Sequence, residues 1–378
     1  MLVGMSASPP PDGPADGPTA ERPARSRKDD HLDLCAGGDV AFRRKTTLLE
    51  EVELVHDALP ERSLADVRLD VTFLGKRLRA PLVVAAMTGG VERAERINRE
   101  LAAVAEAAGV AFAFGSQRPL LDGGRREGYF VRDVAPTALL LGNVGLVQAR
   151  DTPTARLVAL VRDTGVDALC VHLNAAMDAV QAGGDRDFRR GEDTLRRLVG
   201  ELGVPIVVKE TGCGISRGVG ERLAAAGVRT VDVSGAGGTS WVGVETRRAK
   251  GVDTSLGERF WDWGIPTAAS LAQLSGLPLE LVATGGVGDG LDAARALALG
   301  ACAAGIARPV LRAWTAGGRE GAAGFVARVV EELTLACWLT GAASGGRLRE
   351  VPIVVGPTLR RWVPVGSPLA ARLAATLR

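Results

Sequence analysis

The sequence predicts an α/β protein, a TIM (β/α)8 barrel preceded by an N-terminal extension. Three observations predict it. From residue 80 onward, short apolar runs alternate with Gly-rich or polar breaks and amphipathic segments rich in Ala, Arg and Glu, which is the grammar of a βα unit. The apolar runs are continuous rather than alternating, as strands covered on both faces read. Polar residues follow nearly every run. A barrel gathers all its strand ends on one face, whereas a doubly wound open sheet binds its ligand at one switch point.

The first strand is expected in APLVVAAM (80–87), with Thr88 behind it, and the second in VAFAFGS (110–116), which ends on Ser116 before Gln117 and Arg118. ALLLGNVG (138–145) contains Asn143, and DALCVHLN (167–174) places His172 and Asn174 two apart, so that alternation sends both side chains to one side. VPIVVKE (204–210) carries Lys209 and Glu210, RTVDVSG (229–235) carries Ser234, LELVATGG (279–286) ends on Gly285 and Gly286, and CAAGIA (302–307) is the eighth. Between them ERINRELAAVAEAAG, TPTARLVALVRDTG, GEDTLRRLVGELG, SRGVGERLAAAG and GLDAARALALG read as helices, each ending at a Gly suited to the helix C′ position.

Around this barrel (80–345) the chain divides into a Pro- and Asp-containing tail expected to be disordered (1–24), a basic segment and hairpin (25–79), and a C-terminal segment (346–378). Residues 236–265 form a long Gly/Arg/Trp-rich excursion after the sixth strand, and loops of that length in barrels are usually functional. A formal net charge of +2 gives no electrostatic case for nucleic acid. The five cysteines form no C-x-x-C pair and read as reduced thiols of a cytoplasmic protein, without zinc. No run of 18 apolar residues is present, so no membrane span is expected.

The chemistry concentrates at the strand ends. DVSGAGGTS (232–240) and ATGGVGDGLDAARALALG (283–300) place glycines where freed backbone N–H groups and a helix N-terminus can cradle a phosphate. In barrels this cradle commonly follows strands seven and eight. Lys209 stands in a run that should be buried, so it is expected to meet an anion or an electron-rich cofactor atom. An ion pair with Glu210 is disfavoured, because adjacent strand residues face opposite ways. Asn143 could cap the next turn or donate to a flavin carbonyl. Arg27, Lys28 and His31 in SRKDDH are either a solvated tail or, with Arg118, the closure of a diphosphate site.

The ordered series RKDDH, AMTGG, GSQR, GNVG, HLN with GDRDF, VVKETGCGIS, DVSGAGGTSW, WGIPTAASL, TGGVGDGLDAARALALGA and GIARP resembles type 2 isopentenyl diphosphate isomerases from residue 27 to about 345. The resemblance implies an FMN-binding barrel, usually a homo-oligomer, in which reduced FMN interconverts isopentenyl and dimethylallyl diphosphate by proton transfer. It further implies Mg²⁺ on the diphosphate and NADPH as reductant of the flavin. It assigns FMN contacts to Ala86, Met87, Thr88, Ser116, Asn143, Lys209, Thr239, Gly285, Gly286 and the Ala307 region, to which Ser234 is added. The substrate diphosphate falls to Arg27, Lys28, His31, Ser116, Arg118, His172 and Asn174.

After HLN the resemblance breaks. The family typically reads Pro, Leu, Gln, Glu, with the Gln over the substrate and the Glu on the metal; here stand Ala175, Ala176, Met177 and Asp178. Met177 cannot shuttle a proton, so the catalytic set is reduced to His172 and Asn174 with an altered partner. Asp178 can still bind Mg²⁺, one methylene shorter. Gly288 replaces a usual Arg in TGGVGDG, and Ala85 a usual Asn. The expected function is the family isomerisation. The alternatives are a relative that protonates a longer prenyl chain to a cyclised or rearranged product, favoured by the larger, more apolar pocket, and a silent flavin-binding protein. An FMN hydroxy-acid oxidase would need a catalytic His and an Arg after the later strands, and none of the three histidines, His31, His56 and His172, lies there.

Overall fold

The computed structural model describes residues 27–124, 126–249 and 254–376. The expected disordered tail lies outside the described residues. Eight parallel strands close on themselves in chain order: β1 (Leu82–Val84), β2 (Ala111–Ala113), β3 (Leu140–Gly145), β4 (Ala168–His172), β5 (Ile206–Lys209), β6 (Thr230–Asp232), β7 (Glu280–Ala283) and β8 (Ala303–Ile306). Closure is made by β8 against β1, with Gly305 opposite Val83. Each strand lies inside one of the eight apolar runs, shorter by one or more residues at the ends.

Alternation along the strands separates two cores. Val83, Ala111, Ala113, Leu141, Ala168, Cys170, Val207, Val282 and Ala303 fill the barrel interior, while Leu82, Val84, Phe112, Leu140 and Val208 belong to the larger core shared with the helices. The interior set is rich in alanine, and Phe73 and Leu78 of the hairpin Val71–Phe73/Lys76–Leu78 complete its packing. The hairpin therefore plugs one end of the barrel and leaves the other to the strand C-termini. All five sequence-predicted helices form, and Gly109, Gly165, Gly203, Gly227 and Gly300 take the positive φ that ends them.

Six helices matter for the site: α1 (Arg27–Gly37), α2 (Glu92–Ala108), α3 (Ala175–Val180), α4 (Trp241–Arg248), α5 (Gly290–Ala298) and α6 (Arg308–Leu339), the last kinked at Gly317 and Gly318. α1 is the basic segment, and it lies across the mouth of the barrel. Arg308 holds it from below by donating to the carbonyls of Cys35 and Gly38, Arg93 of α2 pairs with Asp33, and His31 reaches Glu245 of α4. The excursion after β6 is thereby folded onto the N-terminal segment, with Trp261 Nε1 donating to Ala41 O at 2.8 Å. Val52–Leu54 pairs antiparallel with Ile353–Val355, so the segments flanking the barrel join in one ribbon.

Candidate active site

A cavity of about 800 Å³ opens at the C-terminal ends of the strands beneath α1. Every residue assigned from the sequence to the cofactor, the diphosphate, the catalytic set or the metal lines it except Arg27, which opens α1 and whose side chain is outside the described residues; Gln117, Ala175, Ala176 and Glu210 do not line it. Its chemistry falls into two sectors.

The first sector is a glycine cradle. Gly237, Gly238, Gly285 and Gly286 meet there, three of them with positive φ (117°, 92° and 80° for Gly237, Gly285 and Gly286). The loops touch so closely that a Cβ on Gly238 would lie 2.7 Å from the Cα of Gly286, and one on Gly285 would run into the backbone of Gly235. Among the described residues the N–H groups of Gly238, Gly285 and Gly286 donate to no protein acceptor. Thr239 and Ala307 line the same cavity, and α6 starts at Arg308 on its wall, where a helix N-terminus favours an anion. Ser234 sits at φ 36°, an unusual conformation for a residue with a Cβ, and its N–H donates to Asp232 at 3.1 Å.

The second sector carries the cationic and amide side chains. Lys28 enters from α1, Arg118 from the loop after β2, and His172 and Asn174 from the end of β4. Asn143 is buried and does not cap a turn. Its Nδ2 donates to Phe114 O at 3.0 Å, and its Oδ1 lies 2.9 Å from His172 Nδ1. With Nδ2 committed to a carbonyl, Oδ1 accepts from a protonated Nδ1, and His172 presents Nε2 as a lone pair. Burial, then Lys209 and Lys28, hold the His172 pKa down to about 3, so the ring is neutral at ordinary pH. Arg118 is steered by two carboxylates, Asp122 at 3.1 Å and Asp185 at 3.8 Å.

Lys209 joins the sectors. Its Nζ donates to the backbone O of Glu210 at 2.8 Å and faces the cavity, while the Glu210 carboxylate turns away to accept from the N–H groups of Thr211 and Cys213. The ion pair that strand alternation disfavours is absent. Burial raises the Glu210 pKa to about 7 against those hydrogen bonds and Lys209. Buried Asp232 is likewise pushed up by burial and opposed by Lys209. His31 borders the cavity with Nε2 held 2.7 Å from Glu245 and its ring edge-on to Trp241, so it ties α1 to α4 as well as facing the site. On α3, Met177 is half-buried and faces the cavity, and Asp178 beside it is buried.

Residues not singled out from the sequence also contribute: Gln148, Gln181, Asp185, Trp241, Thr284 and Arg308 all line the cavity. Asp185, Trp241, Thr284 and Arg308 sit inside quoted motifs, which was the one signal for them. The others lie in helices or loops whose patterns carry no such mark.

Fold and cavity together define a flavoprotein barrel. The model of the FMN-dependent dehydrogenase family matches residues 20–191 and 175–353. Among solved structures, mandelate oxidase with 3,3-difluoro-2-hydroxy-3-phenylpropionic acid is similar at a TM-score of 0.60 and 22% identity, covering 87% of this chain and 95% of that one, which shows the fold alone. The isopentenyl-diphosphate delta-isomerase of Methanosarcina barkeri is 42% identical over 335 residues, 87% of this chain and 91% of its own. That of Xanthobacter autotrophicus is 42% identical over 341 residues, 88% and 98%. The chain belongs to the type 2 isopentenyl-diphosphate delta-isomerase family.

The residues present fit FMN. The cradle offers unpartnered N–H groups at a spot too tight for a Cβ, as a phosphate requires. The Thr88 hydroxyl, buried and lining the same cavity, has no hydrogen-bond partner. Among the described residues no cluster of three or more His, Cys, Asp or Glu could hold a metal, and no helix is long and apolar enough to cross a membrane.

Proposed function

We propose that the protein interconverts isopentenyl and dimethylallyl diphosphate by an FMN-dependent, redox-neutral isomerisation. The observation that supports this most directly is the division of one cavity into two anion-handling sectors, the glycine cradle for the cofactor phosphate and the Lys28, Arg118, His172 and Asn174 set for a substrate diphosphate. Reduced FMN, when bound, supplies the proton-transfer chemistry at the alkene, and NADPH serves as its reductant. Ala86, Met87, Thr88, Ser116, Asn143, Lys209, Ser234, Thr239 and Ala307 hold the cofactor with the cradle glycines.

The chain's own groups bind and orient. Lys28 and Arg118 neutralise the diphosphate, and Arg27 and His31 accompany them from α1. His172, kept neutral with Nε2 as an acceptor, can take a hydrogen bond from a protonated diphosphate oxygen or a metal-bound water. Asp178 supplies the hard oxygen for Mg²⁺, which commonly uses one carboxylate together with substrate phosphates and waters. α1 lines the cavity through Lys28, His31 and Leu32 and narrows its mouth. Met177 neither donates nor accepts usefully, so position 177 contributes apolar surface only. Assembly into a homo-oligomer belongs to the same reading, and the five free cysteines support a reducing compartment.

One observation favours a second reading. Met177 puts a flexible apolar side chain on the wall of the cavity that the cofactor and the substrate would share, which would suit a longer prenyl diphosphate and a cyclised or rearranged product. The test is anaerobic incubation of the FMN-loaded, reduced protein with Mg²⁺ and isopentenyl, dimethylallyl, geranyl and farnesyl diphosphates in deuterated water, with products read by mass spectrometry. Label confined to the two smallest diphosphates is expected. Label entering only a longer or cyclic product would replace the first reading with the second, and no label anywhere would leave a silent flavin-binding protein.

A further inference from the structure

We infer that Gln181 is a substrate-contacting residue that hydrogen-bonds the diphosphate end of the ligand, an inference that rests on the prenyl diphosphate reading above. Gln181 follows α3 and is 5% exposed, yet it lines the cavity. Its N–H donates to Met177 O at 3.0 Å, so it caps the last turn of α3 before the chain turns extended. It therefore stands four residues beyond Met177 and three beyond Asp178, the two spacings that make side chains neighbours on a helix. Its carbonyl accepts from Gly184 N at 3.0 Å, which fixes the backbone from the other side.

The amide itself is the telling feature. Gln148 donates to Asp185 at 2.7 Å and Asn143 is held between Phe114 and His172, but no protein group among the described residues engages the Gln181 side chain. Asn174 shares that property, is less buried, and already has a place in the diphosphate set. The Gln181 amide atoms reach the cavity instead of being sealed in the core, so a ligand or ordered water there can complete the hydrogen bonds that no protein group supplies. The hydrocarbon of a prenyl chain offers an amide nothing. A diphosphate oxygen can accept from Nε2, and a water on its metal can donate to Oε1. On the reading above, Asp178, three residues back, would hold Mg²⁺ at this side of the cavity and bring the diphosphate end of the ligand to it.

The experiment uses the FMN-loaded protein and its Gln181→Met and Gln181→Leu variants. Binding of inorganic diphosphate with Mg²⁺ is measured by calorimetry, melting temperature is measured without ligand, and conversion of isopentenyl diphosphate is followed in parallel. A lost hydrogen bond to a charged oxygen should weaken diphosphate binding about tenfold to a hundredfold in both variants. The melting temperature should hold or rise, because an unpartnered amide has been replaced by an apolar group of similar size. KM for isopentenyl diphosphate should rise by a similar factor. Unchanged diphosphate binding in the Met variant overturns the inference, and so does a lower melting temperature with unaltered binding, which marks a structural role. If diphosphate binding falls as expected while the wild type converts no isopentenyl diphosphate, the isomerase reading fails and the contact stands. A wild type that binds no diphosphate overturns both.

Discussion

Replacing Gly238 by alanine tests the cofactor cradle with one methyl group. Gly238 does not have positive φ, so the substitution adds a Cβ without backbone strain and the effect is steric. That Cβ would lie 2.7 Å from Gly286 Cα, closer still to Gly286 N, and 3.2 Å from Gly285 C, all of it backbone that cannot rotate away. Ordinary contact begins near 3.4 Å and Gly286 N would be 2.4 Å away, so the loops after β6 and β7 must part by about 1 Å. Forced overpacking of this kind costs about 1–3 kcal/mol, which a chain of this size tolerates. The cofactor is hit harder. If the Gly238 and Gly286 N–H groups both lose a charged phosphate oxygen, at about 1.5–3 kcal/mol each, about 3–6 kcal/mol of affinity goes, a rise in Kd of roughly 10²- to 10⁴-fold. Fluorescence titration of apoprotein with FMN measures it. Gly288→Ala is the control in the same cradle, since its Cβ would meet only Asp292 at 3.4 Å, and it should keep wild-type affinity. Equal FMN binding by Gly238→Ala and wild type would refute the cradle as the phosphate site.

Lys209→Ala should purify without visible flavin absorbance, because Lys209 Nζ is the cation that joins the two sectors; a fully flavinated variant counts against that role. Met177→Gln should raise isopentenyl diphosphate turnover if the missing amide limits the reaction, and a loss on geranyl diphosphate with no gain on the smaller substrate supports a specialised pocket. The pH dependence of stability carries two opposed contributions. His172 has a folded pKa near 3, below its unfolded value, so its contribution is present above about pH 6.5 and lost on acidification, at up to about 1.4 kcal/mol per pH unit. Glu210 has a folded pKa near 7, above its unfolded value, so its contribution is present at low pH and lost as pH rises through that value. Between about pH 4.5 and 6.5 the two slopes oppose each other. His172→Gln removes one, and its melting temperature should rise relative to wild type as pH falls from 7 to 5; parallel curves would show that the His172 ring is not held neutral.

The sequence made the scaffold legible because its signals are local. Continuous runs such as ALLLGNVG mark strands covered on both faces, and the glycine that ends each predicted helix takes the conformation that only a residue without Cβ adopts cheaply. Once eight such strands close, the residues after them must share one face, which is why His172, Lys209 and Gly286 could be grouped before any contact was known. Partners distant in the chain carry no such mark. His31 meets Glu245 across 214 residues, and Arg308 clamps Cys35 across 273, contacts that depend on where a lid helix settles. Asn143 was readable as a polar residue at a strand end, but its work as the brace of His172 depends on the register of β3 against β4, where it stands beside Cys170 and Gly145 stands opposite His172.

The same register bears on how the departure at residues 175–178 should be read. His172 is oriented by Asn143 from the neighbouring strand, Arg118 by Asp122 and Asp185, and the cradle by glycines after β6 and β7. None of these braces passes through Ala175, Ala176 or Met177. A change confined to the first turn of α3 can therefore alter the surface offered to a hydrocarbon while leaving both anion sectors in place. That is why the two catalytic readings share a diphosphate head group and differ in the chain attached to it, and why the hydrocarbon, rather than the head group, is the variable to change in assays of this protein.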